Sequence, residues 1–424
     1  MIKKIEGESE AKELVEMITY KFRFYPNKSQ ARVLLRWMGA CRFVYNCALE
    51  QRIDAYKKTG KTLSYIDQQN ELPECKKMVG FEWLSEVPSQ SLQMSLRNLD
   101  RAYKNFFRRV KNSEVPGFPK KKKKGRGIDS VTFPQAGKVS IGKITNKKSI
   151  LLGLPKLKGG LKIFQHRKVE GKIKIATITC RSGEWYVSLT CEKVASDYLV
   201  HAGDLDAARA IGVDLGITKT IATTKEDHTI DLEKIKKLEK QISTLQRRVA
   251  KKEKFSDPWK KVQKIIAKKH SKIARIRKDF LHKKSYELCK KHAIVCMENL
   301  KVKNMSKSAS GTIEAPGSMV AQKSGLNRSI LRQGWGMFRE MCEYKARRYG
   351  GTLVLVNPKN TSRKCSSCGH TEGSNRKTQD HFSCQKCSHE ENADRNAAKN
   401  ILALGLESLG LSALEAPVIS AKAV

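Results

Sequence analysis

Acidic residues are the scarce component of this 424-residue chain: 42 Asp and Glu face 84 Lys and Arg, leaving a formal net charge of +42. Self-repulsion on that scale needs a large polyanion to neutralise it, so the partner the composition predicts is nucleic acid. Long apolar runs are missing too. No stretch approaches the roughly 18 apolar residues of a spanning helix, and Met1 to Leu14 contains no uninterrupted apolar signal region. The expectation is a cytoplasmic protein with no membrane partner. There is no internal repeat and no disulfide framework. Of the 12 cysteines, eight are scattered singly (Cys41, Cys47, Cys75, Cys180, Cys191, Cys289, Cys296, Cys342). The other four sit in two tight pairs, a usage that favours a metal site in a reducing compartment over bridges. An apolar share of 39% excludes global disorder. At about 100–200 residues per domain, the length implies two to four domains.

What is present reads as two halves. Residues 1–17 mix Lys and Glu and form an N-terminal extension before a strand-like run, Ile18 to Phe24, whose Tyr20, Phe22 and Phe24 share one face. A helix follows, with Leu34, Met38, Cys41, Tyr45 and Ala48 at spacings of three and four, stopped by Gly60. A second helix starts at Pro88-Ser89. It carries Leu92, Leu96, Leu99, Tyr103 and Phe106 on one side and Arg97, Arg101, Lys104 and Arg108 on the other, a basic stripe that is either a solvated face or a phosphate-binding one. Lys120 to Lys124 lie in a Pro/Gly-rich loop, a linker or a phosphate-binding arm. From Val131 to Lys193 the pattern is short strands of a barrel or sandwich, clearest in the hairpin of Ile173, Ile175 and Thr177, the Ser182-Gly183 turn, and Trp185, Val187, Leu189 and Cys191.

A second unit opens near Ala210 with a buried strand, Ile211 to Leu215, and a paired strand, Thr220 to Thr224. Two long basic helices, broken at Ser256-Asp257-Pro258, form a helical hairpin over 231–292. A strand from Ala293 ends at Glu298, and the Ser/Gly/Lys-rich stretch Ser306 to Ser324 is expected to be flexible. A helix with Trp335, Phe338 and Tyr344, a strand Thr352 to Val356, the cysteine pairs and a last helix, Asn392 to Leu406, complete the chain.

Two constellations carry chemistry. Cys365-x-x-Cys368 is followed fifteen residues later by Cys384-x-x-Cys387. Two knuckles with two thiolates each complete a tetrahedron around one structural zinc ion, the spacing of a zinc ribbon. His370, His381 and His389 are nearby but not needed as ligands. The second constellation is three acids at element ends. Asp214 lies in Ile211-Gly212-Val213-Asp214-Leu215-Gly216, Glu298 ends Ile294-Val295-Cys296-Met297-Glu298, and Asp394 opens the final helix. Acids beside such apolar runs are costly to bury without a compensating cation. Each alone is a strand-end or capping carboxylate; together they can share two magnesium ions and support phosphodiester hydrolysis.

These motifs occur in a familiar order. Lys21-Phe22-Arg23-Phe24-Tyr25-Pro26, Arg42-Phe43-Val44-Tyr45-Asn46 and Ala102-Tyr103-Lys104-Asn105-Phe106-Phe107 resemble the front half of the transposon-encoded TnpB proteins. Gly212-Val213-Asp214-Leu215-Gly216, Glu298-Asn299-Leu300, Thr361-Ser362-Arg363-Lys364-Cys365-Ser366-Ser367-Cys368-Gly369 and Asn392-Ala393-Asp394-Arg395-Asn396-Ala397-Ala398 resemble that family's split RuvC-like nuclease and inserted zinc ribbon.

The resemblance implies an α/β multidomain, bilobed fold. A β-barrel wedge (18–28 and 119–205) carries an inserted helical recognition domain (29–118). An RNase H-like RuvC nuclease (206–360 and 391–408) carries a zinc ribbon (361–390), with a tail from 409. It implies an RNA-guided DNA endonuclease, a relative of the compact type V CRISPR effectors, that binds a structured guide RNA and double-stranded target DNA, with a monomer favoured. Asp214, Glu298 and Asp394 would be the magnesium-binding catalytic acids and Arg376 a phosphate contact. Tyr65, Ser89 and Gln93 would read a short motif beside the target, next to the basic stripe of Arg97, Arg101, Lys104 and Arg108. The rival readings are a catalytically silent RNA-guided regulator and a strand-transfer transposase.

Overall fold

A computed structural model describes residues 15–124, 129–135, 140–146, 149–194 and 206–411. They fall into two compact units, Met1–Ser196 and Asp197–Val424. In the first, strand β1 (Val15–Phe24) is followed by helices α1 (Lys28–Thr59), α2 (Tyr65–Cys75) and α3 (Ser89–Lys111). The chain then returns as β2 (Asp129–Phe133), β3 (Ser140–Asn146), β4 (Ser149–Gly153), β5 (Leu161–Phe164), β6 (Lys172–Arg181) and β7 (Glu184–Val194).

The strands form one antiparallel sheet in the order β2-β6-β7-β1-β5-β4-β3. Because β2 and β3 remain its edges, the expected barrel takes the form of a curled half-barrel. The three helices are inserted between its central strand β1 and its edge strand β2. Strand β1 starts inside the stretch expected to be an extension, since Val15 to Met17 already pair with Val194 to Glu192. Tyr20, Phe22 and Phe24 do share the buried face, where they meet Leu34 and Trp37 of α1 and Leu92, Leu96 and Leu99 of α3. Truncating a fully enclosed ring such as Phe22 to Ala costs about 3–5 kcal/mol. Helix α1 begins in a capping box between Asn27 and Gln30 and ends at Gly60, whose φ of +67° suits only glycine comfortably.

The second unit is built on β8 (Ala210–Asp214), β9 (Ile221–Thr223), β10 (Asp227–His228), α4 (Leu232–Ala250), α5 (Asp257–Lys291) and β11 (Ile294–Glu298). It continues with α6 (Val302–Met305), α7 (Val320–Gln333), α8 (Trp335–Arg348), β12 (Thr352–Val356), β13 (His381–Ser383), β14 (Glu390–Asn392) and α9 (Ala393–Glu407). Its sheet runs β10-β9-β8-β11-β12, with β8, β11 and β12 parallel and β9 and β10 turned back by hairpins. That strand order is the RNase H-like arrangement.

Strands β8 and β11 read as continuous apolar runs because both sheet faces are covered. Leu281, Leu288, Phe338 and Met341 of α5 and α8 lie on one face, and Ile401 and Leu406 of α9 on the other. Helix α9 comes very close: a Cβ at Gly212 would stand 1.9 Å from the Ala398 carbonyl oxygen, and one at Gly405 would stand 2.2 Å from Cys296 Sγ.

Helices α4 and α5 form the helical hairpin, Ile235, Leu238 and Ile242 packing with Val262, Ile266 and Ile273. The stretch from Ser306 to Ser324, expected to be flexible, contains defined local structure. A Gly311–Pro316 bridge crosses it, and α7 begins at Val320. Gln333, at the far end of α7, anchors the helix: it is 1% exposed, donates to the Ile217 carbonyl at 2.8 Å and accepts from the Thr220 hydroxyl at 2.9 Å. The ribbon reaches two residues further than expected, because β14 ends at Asn392, which then caps α9.

Candidate active site and metal centre

Asp214 is the last residue of β8 and Glu298 the last of β11. The strands are parallel neighbours with Val213 opposite Met297, so both carboxylates leave the carboxyl edge of the sheet side by side. Asp394, in the first turn of α9, is brought in by the helix that rides on Gly212. The other two predicted acids therefore both act on Asp214. Burial, and then the charges of Glu298 and Asp394, push the Asp214 carboxyl up to about 7, against the opposing pull of Arg376. Burial also raises Glu298, which accepts a short hydrogen bond from the Thr361 hydroxyl, and raises Asp394.

Two cations answer Asp394. Arg376 Nη2 lies 3.5 Å from its Oδ1 and donates to the Gln379 carbonyl at 2.8 Å. Lys219 Nζ lies 4.0 Å from its Oδ2 and 2.8 Å from Asp227. Lys219 and Thr361 escaped the sequence reading; Thr361 opens the ribbon motif, whereas Lys219 stands in no motif and only precedes the strand Thr220 to Thr224. A cavity of about 410 Å³ opens beside Glu298, with Leu215, Met297 and Trp335 as apolar wall and Lys301, Lys303 and Arg339 as cations.

The ribbon is more compact. Cys365 and Cys387 Sγ are 3.7 Å apart, Cys368 and Cys384 Sγ 3.6 Å, and all four sulfurs lie within 4.8 Å of one another. Sulfurs about 2.3 Å from a tetrahedral zinc would be about 3.8 Å apart, so this donor set fits that ion. Each knuckle is closed by the backbone: Cys365 N–H donates to His370 O at 2.8 Å and Cys384 N–H to His389 O at 2.9 Å. Buried Asn375 ties the two knuckles, donating to His370 O at 3.2 Å and accepting from Gln385 N–H at 2.9 Å. The three nearby histidines stay outside the thiolate group. Among the described residues it is the only such cluster, so the carboxylate oxygens are not all within 4.8 Å of one another.

The remaining predicted residues belong to the first unit. Tyr65 opens α2, and Ser89 and Gln93 lie in the first turns of α3, while Arg97, Arg101, Lys104 and Arg108 lie along it opposite its buried leucines. Arg97 Nε donates to the Tyr65 hydroxyl at 2.9 Å with its guanidinium over the ring, and Ser89 accepts from Lys76 Nζ at 2.8 Å. Lys104 pairs with Asp100 at 2.9 Å and Arg108 with Glu114 at 3.1 Å.

Comparison with known proteins adds to this geometry. Residues 200–309, which hold Asp214 and Glu298, match the OrfB/IS605 family described as a probable transposase. Residues 335–401, which hold the ribbon and Asp394, match the Cas12f1-like TNB domain. InsQ of Escherichia coli (strain K12), named as a candidate RNA-guided DNA endonuclease, is 40% identical over 91% of this chain and 92% of its own. The chain belongs to the TnpB family. A second TnpB relative, from Streptomyces pristinaespiralis and also named as a candidate RNA-guided DNA endonuclease, is 33% identical over 91% of this chain and 89% of its own. The Cas12f1-sgRNA-target DNA complex aligns with 92% of this chain and 99% of its own at 16% identity and a TM-score of 0.47. Residues 17–61 match a family described as a helix-turn-helix domain, although in this TnpB chain they form β1 and the single helix α1.

Proposed function

We propose that this TnpB-family chain is an RNA-guided DNA endonuclease in which Asp214, Glu298 and Asp394 hold magnesium at the carboxyl edge of the RNase H-like sheet. The observation that supports the reading is the convergence of three acids distant in sequence at one sheet edge, where burial, and then the charges of Glu298 and Asp394, push the Asp214 carboxyl up to about 7. Hard oxygen donors in such a partly buried set suit magnesium. Two bound ions would supply an activated water and neutralise charge on the scissile phosphodiester.

The chain's own groups do the rest. Arg376 and Lys219 flank Asp394, where their N–H groups can orient phosphate oxygens and offset developing charge. Lys301, Lys303 and Arg339 line the cavity next to Glu298 and give a DNA strand a cationic approach. The four thiolates of the ribbon form a closed structural zinc site and leave no open position for chemistry. A guide RNA, neutralised by the basic lobes, pairs with the target, so sequence is read by pairing. The stripe on α3 holds phosphates, and Tyr65, Ser89 and Gln93 read the adjacent motif. Such a protein works in the cytoplasm of a prokaryote, at the nucleoid; among the described residues no helix is long and apolar enough to cross a membrane.

The test is co-expression with flanking DNA, sequencing of the co-purifying RNA, and magnesium-dependent cutting of a target library randomised beside the guide match. An enriched RNA and a single depleted motif are expected, with no cutting by Asp214→Ala. Absence of an enriched RNA overturns guidance, and unchanged cutting by the variant overturns the acid assignment. The transposase description of the matched family keeps strand transfer as a second reading, and joined rather than merely cut products would select it.

A further inference from the structure

We propose that Thr361, at the head of the ribbon, is a positioning residue for Glu298, and that Asn396 and Asn400 fix it to the helix that carries Asp394. The inference rests on the reading of the three acids as a cation-binding set. Thr361 is 3% exposed, and its hydroxyl donates to Glu298 Oε1. A carboxylate tethered through one oxygen loses much of its rotational freedom, and a cation that leaves the tether in place is offered the other oxygen.

Thr361 is itself held. Asn400 Nδ2 donates to the Thr361 carbonyl at 2.9 Å and to the Lys364 carbonyl at 2.6 Å. One turn earlier on α9, Asn396 Nδ2 donates to the same Lys364 carbonyl at 2.8 Å, while its Oδ1 accepts from Ser366 N–H at 2.9 Å. Both asparagines are buried, at 0% and 4% exposure. Asparagine is a poor helix former, and its buried amide has to be matched group for group, so nothing within α9 itself favours two of them on one face. Their partners are the backbone on either side of Cys365. One continuous set of hydrogen bonds thus runs from a zinc ligand's knuckle through α9 to Glu298. The first knuckle serves as the bracket that sets Glu298 relative to Asp394, beyond its service to the ribbon's own fold.

The test uses the full-length protein purified with its RNA, Thr361→Val and Thr361→Ser, with Mn²⁺ binding by calorimetry and zinc content by elemental analysis. Removing an outer-shell partner typically costs about 10- to 100-fold in metal affinity. Thr361→Val should weaken Mn²⁺ binding by that factor while keeping wild-type zinc content, and Thr361→Ser should restore it. Asn400→Ala should weaken Mn²⁺ as well, and adding Thr361→Val to it should cause little further loss, because the two act in series. Wild-type Mn²⁺ affinity in Thr361→Val, or fully additive losses, overturns the proposal. Asp214→Ala separates this failure from that of the underlying reading: if it too leaves Mn²⁺ binding unchanged, both fall, and if it abolishes binding while Thr361→Val does not alter it, only the positioning role falls.

Discussion

The ribbon and the sheet edge solve the same problem, gathering ligands, in opposite ways. Each cysteine pair is brought together by a turn of four residues, and the sulfurs of one pair lie 3.6–3.7 Å from those of the other. The acids are brought together by topology, from strand ends and a helix start as far apart as residues 214 and 394, and they repel as they meet. Local closure yields a finished site. Convergence yields one whose carboxylate oxygens stay apart, with Asp214 pushed toward its protonated form, so that a bound counter-charge is what completes it.

The largest effect that could break this contrast is at the acids. Glu298→Gln or Asp394→Ala should each lower cutting by about 1000-fold or more, and the double variant should be little worse, since residues acting as one unit lose their effect together. Additive losses, read as single-turnover rates, would mean the acids do not share one site. Next is Cys384→Ser, which should reduce bound zinc from one per chain to near zero and unfold the ribbon, because structural zinc binding is also folding free energy. Zinc content and protease sensitivity of residues 361–392 check it; retained zinc would break the comparison from the ribbon's side.

The difference also explains what could be read from the sequence. Cys-x-x-Cys pairs are legible because everything that makes them a site lies within a few residues. Asp214, Glu298 and Asp394 were legible only as oddly placed acids and through a family resemblance, since nothing local says that β8 and β11 are neighbours. Lys219, Thr361, Asn396 and Asn400 were not legible, because their roles exist only across non-local contacts. Helix α2 was missed for a related reason: Gln68 and Leu72 are its only buried residues, too few to make a period. The polarity of Ser306 to Ser324 hid the start of α7, which is held at its far end by Gln333 and not by an apolar face of that stretch.

A smaller effect concerns pH. Asp214 carries a folded-state value of about 7 against an ordinary 3.8, so between those values the folded metal-free protein keeps a proton that the unfolded chain has released. Its contribution to stability is therefore greatest below about pH 4 and declines as pH rises to about 7. Asp214→Asn should remove this decline and raise the metal-free Tm at pH 8 by about 2–4 °C. Mg²⁺ should raise the wild-type Tm there and leave the variant unmoved. Calorimetry at pH 5 and pH 8 checks both, and a wild-type Tm indifferent to Mg²⁺ would make the acids as self-sufficient as the thiols.

The smallest effect lies where no cluster is built at all. On α3, Arg101 and Lys104 are both exposed, but Lys104 shares its charge with Asp100 at 2.9 Å. A phosphate contact releases condensed counterions, so Arg101→Ala should lower RNA affinity across sequences and reduce the slope of log K against log salt by about 1. Lys104→Ala should reduce it by less, because part of that charge is already compensated within the helix. Unlike the acids or the thiols, the two losses should add, each side chain meeting its own phosphate. Salt titrations of the two variants and their double mutant measure this directly, and equal slopes for all four proteins would turn the stripe back into a solvated helix face.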